Sequence, residues 1–268
     1  MGLEIVRVDS ARAAAAILAA EPGARFVAGG TLVMRGVNYG AGSINKLVLS
    51  DGLNLDRIVA TGHTVTIGAA VTMAEIAADA RLAYLKPVAN SIGGPAIRAM
   101  ATVGGNLFAR HPFGDFAVAL LALGATVTVE GPQRSETQDL EKFFAGRKPS
   151  ATVVVSVAFP VPPAGAFRFA KVTRRKRNGA SVLTIAAVLT MADRKVAGGR
   201  IAYGAMGPQP MRARAAEKAL EGKALDAATI AAAVKVATEG CAPLSDPQAS
   251  EWYRLAVLPV HLQRLLSA

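Results

Sequence analysis

Apolar and polar positions along the chain follow two periods, which predict a mixture of helices and short strands. The Ala-rich run Ala11–Ala20 predicts a helix, with Ser10 as its N-cap and Pro22-Gly23 marking its end. The segments Thr64–Ala69 and Ala125–Glu130 alternate apolar and polar side chains, as strands with one buried face do. A strand that runs into a glycine turn is predicted at Phe26–Met34, followed by a Gly-rich loop through Gly42. Further strands are predicted at Lys46–Ser50, Arg57–Thr61 and Thr152–Phe159, and further helices at Met73–Asp79, Tyr84–Asn90 and Phe116–Leu123.

A proline-rich segment, Pro160–Gly165, is the clearest break in this pattern and predicts a domain boundary. Three strands follow it, at Phe167–Thr173, Ser181–Met191 and Gly199–Met206. Helices at Arg212–Leu220, Asp226–Thr238 and Ser250–Leu266 complete the chain. The pattern therefore predicts an α+β fold in two parts, the second with a three-stranded antiparallel sheet and a small helical bundle.

Two glycine pairs, Gly29-Gly30 and Gly104-Gly105, occur where the pattern is otherwise apolar. Glycine contributes no side chain to a core, so each pair indicates a special backbone geometry or close approach to another molecule. Successive amides in such a turn suit a phosphate or diphosphate, and Thr102 and Asn106 add polar groups beside the second pair. An isolated pair is more often an ordinary turn between strands. The chain contains neither G-x-G-x-x-G nor G-x-x-x-x-G-K, so a Rossmann or P-loop site is not predicted.

Several ordered motifs together resemble the FAD-binding medium subunit of the molybdenum hydroxylases, the xanthine dehydrogenase and carbon monoxide dehydrogenase group. They are Ala28-Gly29-Gly30-Thr31, Thr66–Thr72, Ile97-Arg98 with Thr102–Asn106, and Asp115. The resemblance extends over nearly the whole chain. It implies a PCMH-type, VAO-like FAD-binding domain at residues 1–163, with parts 1–55 and 56–163, and a C-terminal domain at 164–268.

The resemblance also implies a set of cofactor-binding residues, none of them catalytic in its own right, and no metal ligands. Asp115 would hydrogen-bond the cofactor, Val154 would line the flavin, and Lys171 would reach its ring system. The implied set is Val27, Ala28, Gly29, Gly30, Thr31, Leu32, Val33, Met34, Ile92, Thr102, Val103, Gly104, Gly105, Asn106, Asp115, Val154 and Lys171.

The chain departs from the family pattern at two places. Leu32-Val33 stands where many relatives carry Asp or Ser, so backbone groups must replace a side-chain hydrogen bond. Arg110 and His111 stand where smaller residues are usual, which bears on access to the flavin face. No histidine or cysteine is placed for covalent attachment, so FAD is expected to bind non-covalently.

Composition restricts the partners more than the fold. Lys and Arg outnumber Asp and Glu by 30 to 19, a net charge of +11, but aromatic residues are few and no nucleic-acid motif is present, so nucleic acid is not predicted. The single cysteine, Cys241, excludes an internal disulfide and a cysteine-ligated iron–sulfur cluster in this chain. Neither a secretory signal nor a membrane span is predicted, which favours a cytoplasmic protein.

The resemblance implies a role in electron transfer within a larger complex. FAD in this chain would pass electrons from [2Fe-2S] clusters on a small subunit to an external acceptor, with the molybdenum cofactor on a large subunit and a dimer of heterotrimers as the assembly. Two alternatives stay open: a free-standing FAD-dependent oxidoreductase, and a flavin-less basic binding module. The basic run Arg174–Arg177 is either an exposed hairpin turn or a docking site for an acidic partner or anionic acceptor.

Overall fold

The computed structural model describes residues 2–40, 42–110, 113–146, 151–175 and 179–268. The chain divides into two compact units: unit 1 comprises residues 1–109 and 125–159, and unit 2 comprises residues 110–124 and 160–268. No helix within the described ranges has the length and apolar character needed to cross a membrane. The strands of unit 1 are β1 (Glu4–Arg7), β2 (Ala24–Val27), β3 (Lys46–Leu49), β4 (Ile58–Thr61), β5 (Thr64–Gly68), β6 (Thr126–Glu130), β7 (Ser135–Asp139) and β8 (Val153–Pro160), the last ending at the first residue of unit 2.

The helices of unit 1 are mostly short. They are α1 (Ala11–Ala20), α2 (Val33–Asn38), α3 (Met73–Ala78), a 3₁₀ turn (Ala80–Leu85), α4 (Lys86–Asn90), α5 (Pro95–Arg98) and α6 (Val103–Phe108), followed after unit 2's α7 (Asp115–Ala122) by α8 (Leu140–Gly146). Unit 2 adds β9 (Phe167–Thr173), β10 (Ser181–Ala192), β11 (Lys195–Gly204), β12 (Met211–Arg212), α9 (Arg214–Leu220), α10 (Ala227–Lys235) and α11 (Glu251–Leu266).

A small parallel sheet begins unit 1, with strand order β1-β3-β2. Helix α1 begins at Ser10, whose hydroxyl accepts a hydrogen bond from the Ala13 amide, as the sequence predicts. Its buried face consists of Ala14, Ala15 and Leu18. The alanines leave the helix close to the sheet, because a methyl group is all that separates the two backbones.

A second sheet of unit 1 has the strand order β4-β5-β8-β6-β7. Along β6, Val127 and Val129 are buried and their neighbours are partly exposed, as the alternating sequence predicts. Helix α3 begins at Thr72, and Thr72 and Glu75 form the predicted capping box. Helix α6 begins at Thr102 next to this same sheet, since an isolated bridge joins Thr102 to Thr72.

Unit 2 is built on an antiparallel sheet with strand order β12-β11-β10-β9. One sheet face, which includes Ile185 and Tyr203, forms a core with α9, α10 and α11. The opposite face receives α7, which is buried at every position. Val118 of this helix lies against Gly204 of β11, where the missing side chain allows close approach. Helix α7 therefore belongs to unit 2 even though residues of unit 1 flank it in the sequence.

The structure corrects several sequence predictions. The C-terminal sheet has four strands rather than three, because the two-residue β12 pairs with β11 at Ala202 and Tyr203. The Gly-rich segment after Met34 contains helix α2 rather than a loop only, and Gly104-Gly105 lies in the first turn of α6 rather than between strands. Strands β1 and β7 were not predicted, since neither has a strong apolar pattern.

Candidate functional site

The first glycine pair follows directly from β2 and requires glycine at both positions. A Cβ added at Gly29 would lie 1.6 Å from the carbonyl oxygen of Met100, which no side chain permits. Gly30 has φ of 70°, in the left-handed region that glycine adopts most readily. The turn therefore places the backbone of residues 29–30 directly against the segment that leads into the second glycine pair.

The second glycine segment is held by backbone hydrogen bonds to the end of β5. The amides of Met73, Val103 and Gly104 take part in this pairing: Met73 donates to Ala101, Val103 to Val71 and Gly104 to Ala69. A Cβ on Gly104 would lie 2.9 Å from the Ala69 Cβ. Sequence analysis named the two glycine pairs and the Thr66–Thr72 segment separately. The structure brings both pairs and the Gly68–Thr72 part of that segment into one cluster within unit 1, here called the glycine cluster.

The amides available for a ligand differ from those expected. The Gly104 amide is used by Ala69, and the Gly105 amide donates to the Thr102 hydroxyl at 3.1 Å. In contrast, the consecutive amides from Gly29 to Val33 have no hydrogen-bond partner among the described residues. Residues 29–33 are all at least partly accessible to solvent. The first glycine pair, rather than the second, therefore offers the row of backbone donors that an anion requires.

Apolar side chains at the surface accompany these donors. Leu32, Ile97 and Met100 are 42%, 44% and 53% exposed, which is high for residues of this size and polarity. Sequence reasoning missed Met100, because its importance lies in its backbone carbonyl against Gly29. Ile92 is partly buried beside Gly93, and Val154 is buried in β8 opposite Val129.

Asp115 and Lys171, the remaining predicted residues, lie together in unit 2. Asp115 begins α7, where its negative charge suits the helix N-terminus, and it is 7% exposed. Its Oδ2 lies 2.8 Å from Lys171 Nζ, and its Oδ1 accepts hydrogen bonds from Ser181 (2.6 Å) and Thr184. The sheet fixes this arrangement, because Thr184 of β10 pairs directly with Lys171 of β9. Both carboxylate oxygens of Asp115 are therefore engaged by the protein itself.

Arg254 of α11, which sequence reasoning did not find, binds the backbone next to the Ser181 hydroxyl that donates to Asp115. Its side chain is fully buried, and Nη1 donates to the backbone carbonyls of Ser181 (3.3 Å) and Val182. Its Nη2 forms an ion pair with Asp246 at 2.8 Å. A buried arginine destabilises the fold unless it is paired, and these contacts pair it. By binding the carbonyls of Ser181 and Val182, Arg254 holds the start of β10, where the Ser181 hydroxyl donates to Asp115.

Other candidate features are less informative. Arg174 donates to the Pro247 carbonyl at 3.0 Å, while Lys176 and Arg177 of the basic run, like His111, lie outside the described residues. Burial raises the pKa of the Cys241 thiol to about 11, so this cysteine is a poor nucleophile. Among the described residues, no cluster of three or more His, Cys, Asp or Glu side chains could hold a metal ion.

Two models of known protein families match the chain. Residues 1–162 match the model of the FAD binding domain in molybdopterin dehydrogenase, and residues 168–268 match that of the CO dehydrogenase flavoprotein C-terminal domain. The chain belongs to this molybdenum hydroxylase flavoprotein family. It is thus a flavoprotein oxidoreductase subunit with an FAD-binding domain, as the resemblance implied.

Individual relatives of this flavoprotein agree with the family assignment. The carbon monoxide dehydrogenase medium chain of Afipia carboxidovorans is 30% identical over 76% of this chain and 73% of that one. A putative xanthine dehydrogenase FAD-binding subunit of Escherichia coli is 27% identical over 94% of this chain and 90% of that one. In the structure of reconstituted CO dehydrogenase from Oligotropha carboxidovorans, a chain superposes with a TM-score of 0.91 at 27% identity, covering all of this flavoprotein and 97% of that chain.

The residues present in unit 1 fit an FAD diphosphate. The amides of residues 29–33, which have no partner in the described part of the chain, supply donors, and the close backbone contact at Gly29 removes any side chain from the same place. The exposed apolar side chains Leu32 and Met100 suit the uncharged parts of such a cofactor.

Proposed function

We propose that this chain is the electron-transfer subunit of a heterotrimeric molybdenum hydroxylase, in which FAD accepts electrons from [2Fe-2S] clusters of a small subunit and delivers them to an external acceptor. The observation that carries the FAD part is the row of unpaired amides from Gly29 to Val33. The names of relatives as medium chains support the subunit part. The molybdenum cofactor belongs on a large partner subunit, and a cytoplasmic dimer of heterotrimers is the assembly that the resemblance suggests.

Each predicted residue has a role in this proposal. Residues 27–34 bind the diphosphate through backbone groups, because their side chains carry no charge. Thr102–Asn106 shape the glycine cluster from behind, since the amides of residues 103–105 are used internally. Ile92 and Val154 contribute apolar surface. Asp115 fixes Lys171, and Lys171 supplies the positive charge that favours electron-rich flavin.

When bound, FAD supplies the redox chemistry. The chain's own residues have a different task, which is to bind and orient the cofactor and to tune its electrostatic surroundings. The absence of covalent anchors in the glycine cluster agrees with non-covalent FAD: no His or Cys occurs among residues 27–34 or 102–106.

Expression of the chain alone and together with its genomic neighbours tests the proposal. We expect the purified chain to show absorption bands near ~370 and ~450 nm, which belong to flavin and not to protein side chains. With its neighbours it should copurify in a complex that contains iron–sulfur and molybdenum. Reduction of the isolated chain by a small organic substrate would instead support the free-standing oxidoreductase. A colourless chain that takes up no added FAD would refute both.

A further inference from the structure

A second surface of unit 2 has the character of a binding site. A cavity of about 600 Å³ opens at the edge of the four-stranded sheet, between β11 and α9. Its lining includes Gly198, Gly199 and Arg200 of β11 and Arg214, Glu217 and Lys218 of α9. All of these residues belong to unit 2, and none is among the predicted FAD-binding residues.

Among the described residues, hydrogen bonds engage the outer edge of β11 on either side of this cavity but not within it. At one end Val196 exchanges backbone hydrogen bonds with Gly222 and Lys223. At the other end the Ile201 carbonyl accepts from Ala213, and the Ile201 amide donates to Glu217 Oε1 at 2.7 Å. The stretch between these two contacts contains the two glycines.

Strand geometry shows where the backbone groups of Gly199 point. Ile201 directs its N–H and C=O away from β10, and residues two apart in an antiparallel strand point the same way. The paired strand leads to the same conclusion. Leu189 of β10, which pairs with Gly199, donates its amide to the Ala166 carbonyl on the side of β10 that faces away from β11. The N–H and C=O of Gly199 therefore face the cavity, and they have no partner among the described residues.

The charges around the cavity do not cancel. Glu217 is neutralised by Arg212, whose Nε and Nη2 lie 2.6 and 2.8 Å from its carboxylate oxygens. The side chains of Arg200 and Lys218 are exposed and have no ion-pair partner in the part of the chain that the structure describes. Arg200 and Lys218 thus place two positive charges at the cavity against the single negative charge of Glu221.

We infer that this cavity binds a small oxyanion, a compound that carries carboxylate or phosphate groups. The Gly199 amide would donate to one oxygen, and Lys218 and Arg200 would neutralise the charge. The glycines matter because a side chain at Gly198 would occupy the space: its Cβ would meet only Thr190 Oγ1, at 3.4 Å. This inference goes beyond the proposed flavin function, and its test uses flavin only to fill the site proposed in unit 1 and to check that the variants leave that site intact.

Calorimetric titration of the full, FAD-loaded chain with citrate and separately with pyrophosphate tests the inference. FAD is added before the titration, so that pyrophosphate cannot bind at the flavin site. Measurement near ~0.15 M salt suppresses general attraction to this basic protein. Binding of citrate alone would identify a carboxylate ligand, and binding of pyrophosphate alone a phosphate ligand.

Two variants and one control make the test specific. Lys218→Glu reverses a charge at the cavity, and Gly198→Val fills it at a position where the added Cβ meets only Thr190 Oγ1, at 3.4 Å, and where φ is not in the left-handed region. Each should weaken binding at least tenfold and leave flavin content unchanged. Lys235→Glu makes the same charge change on an exposed turn of α10 outside the cavity and should leave affinity within twofold. The inference is overturned if neither anion binds at about 1 mM, or if the control weakens binding as much as Lys218→Glu.

Discussion

The glycine cluster of unit 1 and the Asp115–Lys171 pair of unit 2 are built in opposite ways. The first is made of backbone: closely approaching glycines and a row of amides without partners. The second is made of buried side chains whose polar groups satisfy each other. At Gly29 the backbone site has no room for an added methyl group, whereas the side-chain site depends on the balance of charge. Substitutions should therefore damage the two regions for different physical reasons.

The largest effect is expected for Gly29→Ala. Its methyl group would overlap the Met100 carbonyl, so the two glycine segments must separate. We expect a loss of about 3 kcal/mol or more in the free energy of unfolding, with loss of bound flavin. Gly42→Ala is the matched control, because nothing lies within 4 Å of the added atom. Denaturant unfolding and the flavin-to-protein absorbance ratio measure both effects, and near-normal flavin content in Gly29→Ala would contradict the site assignment.

A double-mutant cycle on Asp115 and Lys171 should give the next largest effect. Asp115→Asn keeps the shape but removes the carboxylate charge 2.8 Å from Lys171 Nζ, and we expect a loss of roughly 3 kcal/mol in stability. Adding Lys171→Met should restore part of that loss, since no buried charge then stays unpaired. Additive losses in the cycle would mean that the two groups do not interact.

The same cycle separates structure from redox function. If Lys171 also acts on the flavin, the double variant should keep flavin but bind it with a lowered reduction potential, because the positive charge that favours the reduced form is gone. An unchanged potential would limit Lys171 to holding Asp115.

The smallest effects concern the second glycine pair, where the two residues should differ. Gly104→Ala would press its methyl against Ala69 at 2.9 Å, and we expect a loss of about 1–2 kcal/mol. Gly105→Ala would meet only the Thr102 hydroxyl at 3.1 Å, and the better helix propensity of alanine in α6 offsets this, so stability should stay within about 1 kcal/mol. Thermal unfolding of both variants checks the order; equal losses would show that Ala69 does not restrict Gly104.

Sequence reasoning succeeded where a local signal exists. The capping box at Thr72 and the helix start at Ser10 are encoded within four residues, and the structure confirms both. The family was recognisable because several motifs occur in a fixed order, and the family models match nearly the whole chain. The glycine pairs were also visible, since glycine is conspicuous in an apolar segment.

The failures concern contacts between segments that are distant in the chain. Nothing in the sequence shows that the Gly104 amide is used by Ala69, so its availability for a ligand was overestimated. Arg254 looks like an ordinary surface residue of an amphipathic helix, yet the two carbonyls that accept its hydrogen bonds, those of Ser181 and Val182, lie more than 70 residues away in the chain. The fourth strand, β12, contains two residues and has no pattern to detect.

The place of α7 has a consequence for how the polypeptide can be divided. The chain passes between the two units after residues 109, 124 and 159, so cutting once beyond Phe159 does not separate them. A fragment that ends there would carry α7, with its wholly apolar surface after Asp115, but would lack the sheet that covers it. Such a fragment should aggregate when expressed, whereas the complementary piece would be left with an uncovered sheet face and no carboxylate for Lys171.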